Sequence, residues 1–248
     1  MSGLSNARPA VRTLSFRTLH TLLFAQSIII VFASANRLTD FTTGYVHPNE
    51  FLRWVDLLNM LVFPLVSVLV SWLLKQHIET ASTIAPRARQ ATLWNLTFLI
   101  GVYLLAASYG THEVTNYLHT RFCADGATDT LCAIIIFHDD EFSHYIFFIG
   151  FTIINALLIV IQAALPYQLP LHPIDYGLLL FNALFISLGI AANLAFEAIG
   201  FDMIVVVALT LCAVGLLWRV GRQPLLVYYS VAYTVGLVLT VLIRFFQT

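Results

Sequence analysis

Two short stretches of the chain concentrate its acid–base and metal-binding side chains. They are Ser108-Tyr-Gly-Thr-His-Glu-Val-Thr-Asn-Tyr-Leu-His119 and His138-Asp-Asp-Glu-Phe-Ser-His144. Together they hold four histidines and four carboxylates. On an α-helix, His112, Asn116 and His119 fall on one face, and Asp140 and Glu141 lie four and three residues before His144. If the two stretches belong to consecutive antiparallel helices with His112 level with His144, Asn116 comes beside Asp140. His119 then comes beside Phe137 or His138. Imidazole and carboxylate ligands at helical spacing on facing helices are a metal-site pattern. The expected ligands are His112 and His144, completed from Asp140, His138 and His119. Zinc, with iron as the alternative, would acidify a bound water, and Glu141 or Glu113 would take its proton. A plainer reading covers part of this. Asp139, Asp140 and Glu141 are favourable at a helix start without any chemistry, but that does not account for four histidines.

The elements that must position these groups are membrane helices. The 248 residues are 59% hydrophobic and 10% charged, with a mean hydropathy of +0.85. Soluble domains carry roughly 25% charged residues, so the expected class is all-α, a polytopic membrane protein. A spanning helix needs about 20 apolar residues, and seven segments qualify: 18–35, 52–74, 92–112, 140–165, 174–196, 202–218 and 224–243. The linkers are short, so residues 1–248 form a single transmembrane domain. Lys/Arg bias sets orientation. A cytoplasmic N-terminus puts Arg8, Arg12, Arg17, Lys75, Arg87, Arg89, Arg219 and Arg222 inside, against Arg37, Arg53, Arg121 and Arg244 outside. The expectation is N-in and C-out, with Trp72, Trp94 and Trp218 in the inner aromatic belt and Trp54 in the outer one. Both polar stretches then face the periplasmic, extracellular or lumenal side. The basic residues before an apolar run ending in Ala33-Ser-Ala35 also fit a signal peptide; the run is long for one, which favours an uncleaved first helix. A net charge of −1 gives no sign of a nucleic-acid partner. The sole lysine, Lys75, excludes a retinal-type Schiff base in the last helix.

Cys123 and Cys132 lie between the two polar stretches, where a disulfide is expected on the non-cytoplasmic side. Asp56, Glu197 and Asp202 have the right depth to complete a site. Phe142, Phe147, Phe148 and Phe151 offer apolar walls for an acyl chain.

Seven helices together with Ser108-Tyr-Gly-Thr-His112 resemble the alkaline ceramidase and adiponectin-receptor group of membrane hydrolases. The resemblance implies zinc and matches Ser108 and His112 to that group's Ser-x3-His, with Asp125 near the spacing of its Asp. The group's His-x3-His in the last helix has no counterpart here; the nearest analogue is Asp140-x3-His144. The expected function is metal-dependent hydrolysis of an amide or ester in a lipid-like small molecule, with Ser108, Glu113 and Glu141 as catalytic candidates. Two other classes compete. A di-iron or heme oxidoreductase would use Glu141-x-x-His144 or a heme between His112 and His144. An ion- or proton-coupled transporter or receptor would use the same groups.

Overall fold

The computed structural model describes residues 16–123, 129–197 and 200–247. Seven helices in them are long and apolar enough to cross a membrane: α1 Arg17–Leu38, α2 Trp54–Ala81, α3 Ala88–Cys123, α4 Thr130–Ala164, α5 Pro173–Ala195, α6 Phe201–Val220 and α7 Pro224–Phe246. Among the described residues the only β-pairing is an isolated bridge, Tyr45–Arg53. The end of the bundle holding Leu38, Trp54, Cys123 and Thr130 is called the upper end below. Arg8, Arg12 and Asp125 lie outside the described residues, as does the side chain of Glu197.

The seven segments stand where the apolar runs put them, but three helices are longer than expected, α2 running on from 74 to Ala81. α3 does not stop at His112, and α4 does not open at Asp139–Glu141. α3 has 36 residues and α4 has 35, about 54 and 52 Å at 1.5 Å per residue, against roughly 30 Å of hydrocarbon in a bilayer. α4 opens at Thr130, where the Asp129 carboxylate caps it by accepting from the Cys132 N–H at 2.7 Å. The acids 139–141 therefore sit inside a continuous helix. The Cys123–Cys132 disulfide joins the two upward extensions, so the polar stretches are carried on a stapled helical hairpin.

Close backbone approach holds that hairpin together lower down. A Cβ at Gly150 would come within 3.0 Å of the Gly101 carbonyl and the Leu105 N–H; only glycine allows α3 and α4 this near. Small residues at helix contacts are how bundles pack where the surroundings are themselves apolar. α5 meets α7 in the same way, with Gly236 against Ile190 and Ser187 Oγ donating to the Ala232 carbonyl at 3.0 Å. α1 docks on α2 through Gln26 with Ser67 and Ser71 and on α5 through Ser27 and Asn182. The outward faces are apolar: Leu61, Leu65, Leu69 and Leu73 form an exposed stripe down α2. At the lower end, Lys75 is buried with Glu79 at 2.8 Å and Asn95 at 2.7 Å. Trp94, expected in the aromatic belt, is instead buried.

Among the described residues four stretches are wound as π-helix: Leu58–Val62 in α2, His119–Cys123 in α3, Phe137–Phe142 in α4 and Asn193–Glu197 at the end of α5. All four lie at the upper end. A π turn carries one extra residue, rotates the side chains beyond it and is frequent at functional sites.

Candidate active site and its chamber

The π turn of α4 decides which carboxylate faces α3. At α-helical spacing Asp140 accompanies His144; with i→i+5 winding the inward position passes to Asp139, five residues before it. Asp139 is 1% exposed, whereas Asp140 and Glu141 are exposed. The carboxylate of Asp139 lies between two imidazoles of α3: Oδ2 is 2.9 Å from His119 Nδ1 and Oδ1 is 3.1 Å from His112 Nδ1. The first contact is a hydrogen bond. The second is too misaligned to be one, which leaves Oδ1 buried without a hydrogen-bond donor. Asp140 Oδ1 stands 3.9 Å from His119 Nδ1, so His119, Asp139 and Asp140 offer three ligand atoms within 4.8 Å of one another.

The same π turn displaces the Asp139 carbonyl from its ordinary α-helical partner. Ser143 Oγ donates to it at 2.6 Å and His112 Nδ1 at 3.4 Å. A carbonyl only accepts, so this contact places the hydrogen of His112 on Nδ1 and leaves Nε2 as the acceptor atom. His144 is set in the same way, with Nδ1 donating to the Asp140 carbonyl at 2.9 Å. The two rings are 4.9 Å apart, centroid to centroid, and both border a pocket of about 180 Å³ whose mainly apolar wall carries the polar groups of Ser143, Asn59 and Arg37.

The remaining candidates fall around this arrangement. Ser108 Oγ donates to the Ser143 carbonyl at 2.8 Å and borders the pocket. His138 is not brought to the cluster; its ring packs edge-on against Phe137 and Phe142. Glu113 is buried but turned to α1 and α2, with Arg37 at 2.7 Å and Asn59 at 3.5 Å. Asn116 borders the space beside Arg37 instead of pairing with Asp140. Asp56 is buried in a two-bond pair with Arg53, which raises the guanidinium further above its ordinary value. Asp202 is buried at the start of α6. A loop roofs this end: the Glu50 carbonyl accepts from Tyr117 and Arg121 on the extension of α3.

Below this pocket lies a second cavity, of about 250 Å³, bordered by α1, α2, α3, α4, α5 and α7. The two share Ala33, Phe63, Tyr109 and Phe147 as common walls. The lower one is mainly apolar, lined by residues such as Leu23, Ile30, Leu74, Leu105, Phe151 and Ile154. Of the phenylalanines expected to seat an acyl chain, Phe147 and Phe151 line it.

Sequence reasoning missed Asp139 as a site residue, because α-helical spacing favours Asp140. It also missed Arg37 and Asn59, which have no spacing relation to the histidines along the chain, and Ser143, which stands next to His144. Compared with known protein families, curated proteins and solved structures, the chain matches none.

Proposed function

We propose that this chain is a multi-pass membrane enzyme that hydrolyses an amide or ester bond in a lipid-like substrate at its upper end. The observation that carries the reading is the Asp139 carboxylate, 1% exposed and set between His112 and His119, beside a pocket that shares walls with an apolar chamber. A buried carboxylate is costly unless a partner holds it. Here it stands with one oxygen lacking a hydrogen bond and two further ligand atoms nearby. His119, Asp139 and Asp140 would hold a divalent metal, zinc being the first expectation, in the three-ligand arrangement that leaves a position for water; binding there would release the hydrogen that His119 Nδ1 shares with Asp139. Such an ion supplies an acidified water and polarises a carbonyl. His112, its hydrogen on Nδ1, takes the proton at Nε2 and returns it to the leaving group. Its orientation comes from the Asp139 carbonyl and Ser143. Arg37 and Asn59 bind the polar end of the substrate, and the chamber binds the apolar part.

The geometry gives less support to the redox alternatives. A centroid separation of 4.9 Å leaves no room for a porphyrin between His112 and His144. A di-iron site needs two Glu-x-x-His elements facing one another, whereas Glu141 is exposed and Glu113 is paired with Arg37. In the membrane the upper end faces the non-cytoplasmic side, with the N-terminus in the cytoplasm. The basic-residue bias and a disulfide at that end both favour this orientation.

Metal content of the purified protein, measured beside hydrolysis of a panel of acyl amides and esters, tests the reading. About one equivalent of zinc is expected. His112→Gln should retain it while losing at least about a hundredfold in turnover, the usual contribution of a general base. Protein without metal, or a His112→Gln variant with full activity, refutes the assignment.

A further inference from the structure

The chamber has a definite depth. It rises to the shared neck at Ala33, Phe63, Tyr109 and Phe147 and descends to Leu23, Leu74 and Tyr228. Beneath it the packing is closed: Leu19 and Ile78 are fully buried, and Leu23 and Leu74 are 1% and 2% exposed. Just above that floor, a polar bar crosses from α1 to α2. Gln26 Nε2 donates to the Ser67 carbonyl at 3.0 Å and to Ser71 Oγ at 2.9 Å, and Gln26 Oε1 accepts from Ser67 Oγ at 3.0 Å. Ser71 Oγ in turn donates to the Ser67 carbonyl at 2.9 Å. Both amide N–H groups and both hydroxyl hydrogens are thereby used within the bar. It closes the seam between two helices and offers no hydrogen to an incoming polar group. From Arg37 at the mouth to Gln26 is eleven residues of α1, about 16 Å at 1.5 Å per residue.

We infer that the chamber is a length-measuring slot for a single acyl chain, with Ala33 at its neck and the Gln26–Ser67–Ser71 bar as its stop. The inference rests on the functional reading above, since it assumes that the bond to be cleaved lies beside His112 and His144. A straight saturated chain suits a cavity that is mainly apolar and closed at its lower end. A chain that reaches the bar must either stop or break hydrogen bonds that are already satisfied, and a buried polar group left unpaired is expensive. Chains shorter than the slot fill it in part; longer ones must crowd it, which costs at least about fivefold in affinity at the usual price of overpacking.

The test is binding, read separately from turnover. Fatty acids of stepwise increasing length compete with a polarity-sensitive fluorescent fatty acid on the detergent-purified, full-length protein carrying His112→Gln. Wild-type bar and neck should give affinity that rises with length and then drops by at least about fivefold past a break. Adding Gln26→Ala, which opens the bar, should move that break to longer chains. Adding Ala33→Phe, which plugs the neck, should abolish displacement by every chain long enough to pass it. Leu69→Ala, on the outward face of α2, controls for disturbance of that helix and should leave the break where it was. A break that stays put in Gln26→Ala, or an Ala33→Phe protein that still shows the full length dependence, overturns the slot. Failure of all chains to displace the probe overturns both the slot and the lipid-like substrate, while zinc content and the His112 requirement continue to report on the hydrolytic centre.

Discussion

Asp139 on α4 lies 2.9 Å from His119 on α3, although neither is placed on the other's helix by any repeat in the sequence. The pair exists because α3 continues past the apolar run and α4 is wound loosely where Asp139 stands. Metal retention should therefore follow these two residues. His119→Gln and Asp139→Asn are each expected to lower zinc content at least about tenfold, as loss of a ligand or its support does. His138→Gln, whose ring packs on Phe137 and Phe142, should keep the full equivalent. Equal zinc in all three variants would place the ion elsewhere.

Arg37 and Glu113 form a partner pair of unequal exposure, 44% and 4% of the side chain. Removing Arg37 leaves a buried carboxylate with only Asn59 beside it, at 3.5 Å. Arg37→Ala is expected to destabilise more than Arg37→Ala combined with Glu113→Gln. The coupling energy should fall between about 0.5 and 3 kcal/mol, the range for residues in one ion-pair network. Thermal unfolding of the four proteins in one detergent gives the cycle, and a coupling near zero would mean that the pair is solvated.

How much of this could be read from residues alone differs between elements. Seven helices were legible because each carries a long apolar run, and hydropathy reports those directly. The true ends of α3 and α4 were not: the last turns of α3 are polar helix, which hydropathy reads as loop, and the apolar opening turns of α4, Thr130–Ile136, are cut off from its spanning run by the charged residues 138–141. The Cys123–Cys132 bridge was legible from position between two helices. Asp139 was hidden by a single extra residue in the winding: periodicity arguments assume 3.6 residues per turn, and the π turn at Phe137–Phe142 violates that where it matters most. Trp94 misled for a different reason, since aromatic side chains suit an interface and a packed core equally well.

The disulfide should hold the upper hairpin against opening. It closes a short loop, with a sequence separation of 9, so loop entropy alone gives about 2.5 kcal/mol. Cys123→Ser should lower the melting temperature and weaken zinc binding together, because the bond joins the extensions that carry His119 and Asp139. Thiol labelling of the unreduced protein should modify Cys212 alone. Two reactive thiols in addition would show that the bond does not form.

Termini give the simplest check of orientation. With seven crossings, a tag before Met1 should be reachable only from the cytoplasm and one after Thr248 only from the other side. Both tags reporting the same side would require one of the seven helices not to cross.

The staple also has a bearing on the order of synthesis. His112, His119, Asp139, Asp140 and His144 all belong to α3 and α4, and Cys132 leaves the ribosome nine residues after Cys123. The hairpin can be oxidised and its ligands gathered before α5, α6 and α7 are made. Ile186, Tyr228 and Tyr229, which close the far wall of the chamber, arrive only later. A nascent chain arrested after α4 thus already holds every imidazole and carboxylate of the cluster, while the cavity beneath it still lacks its far wall.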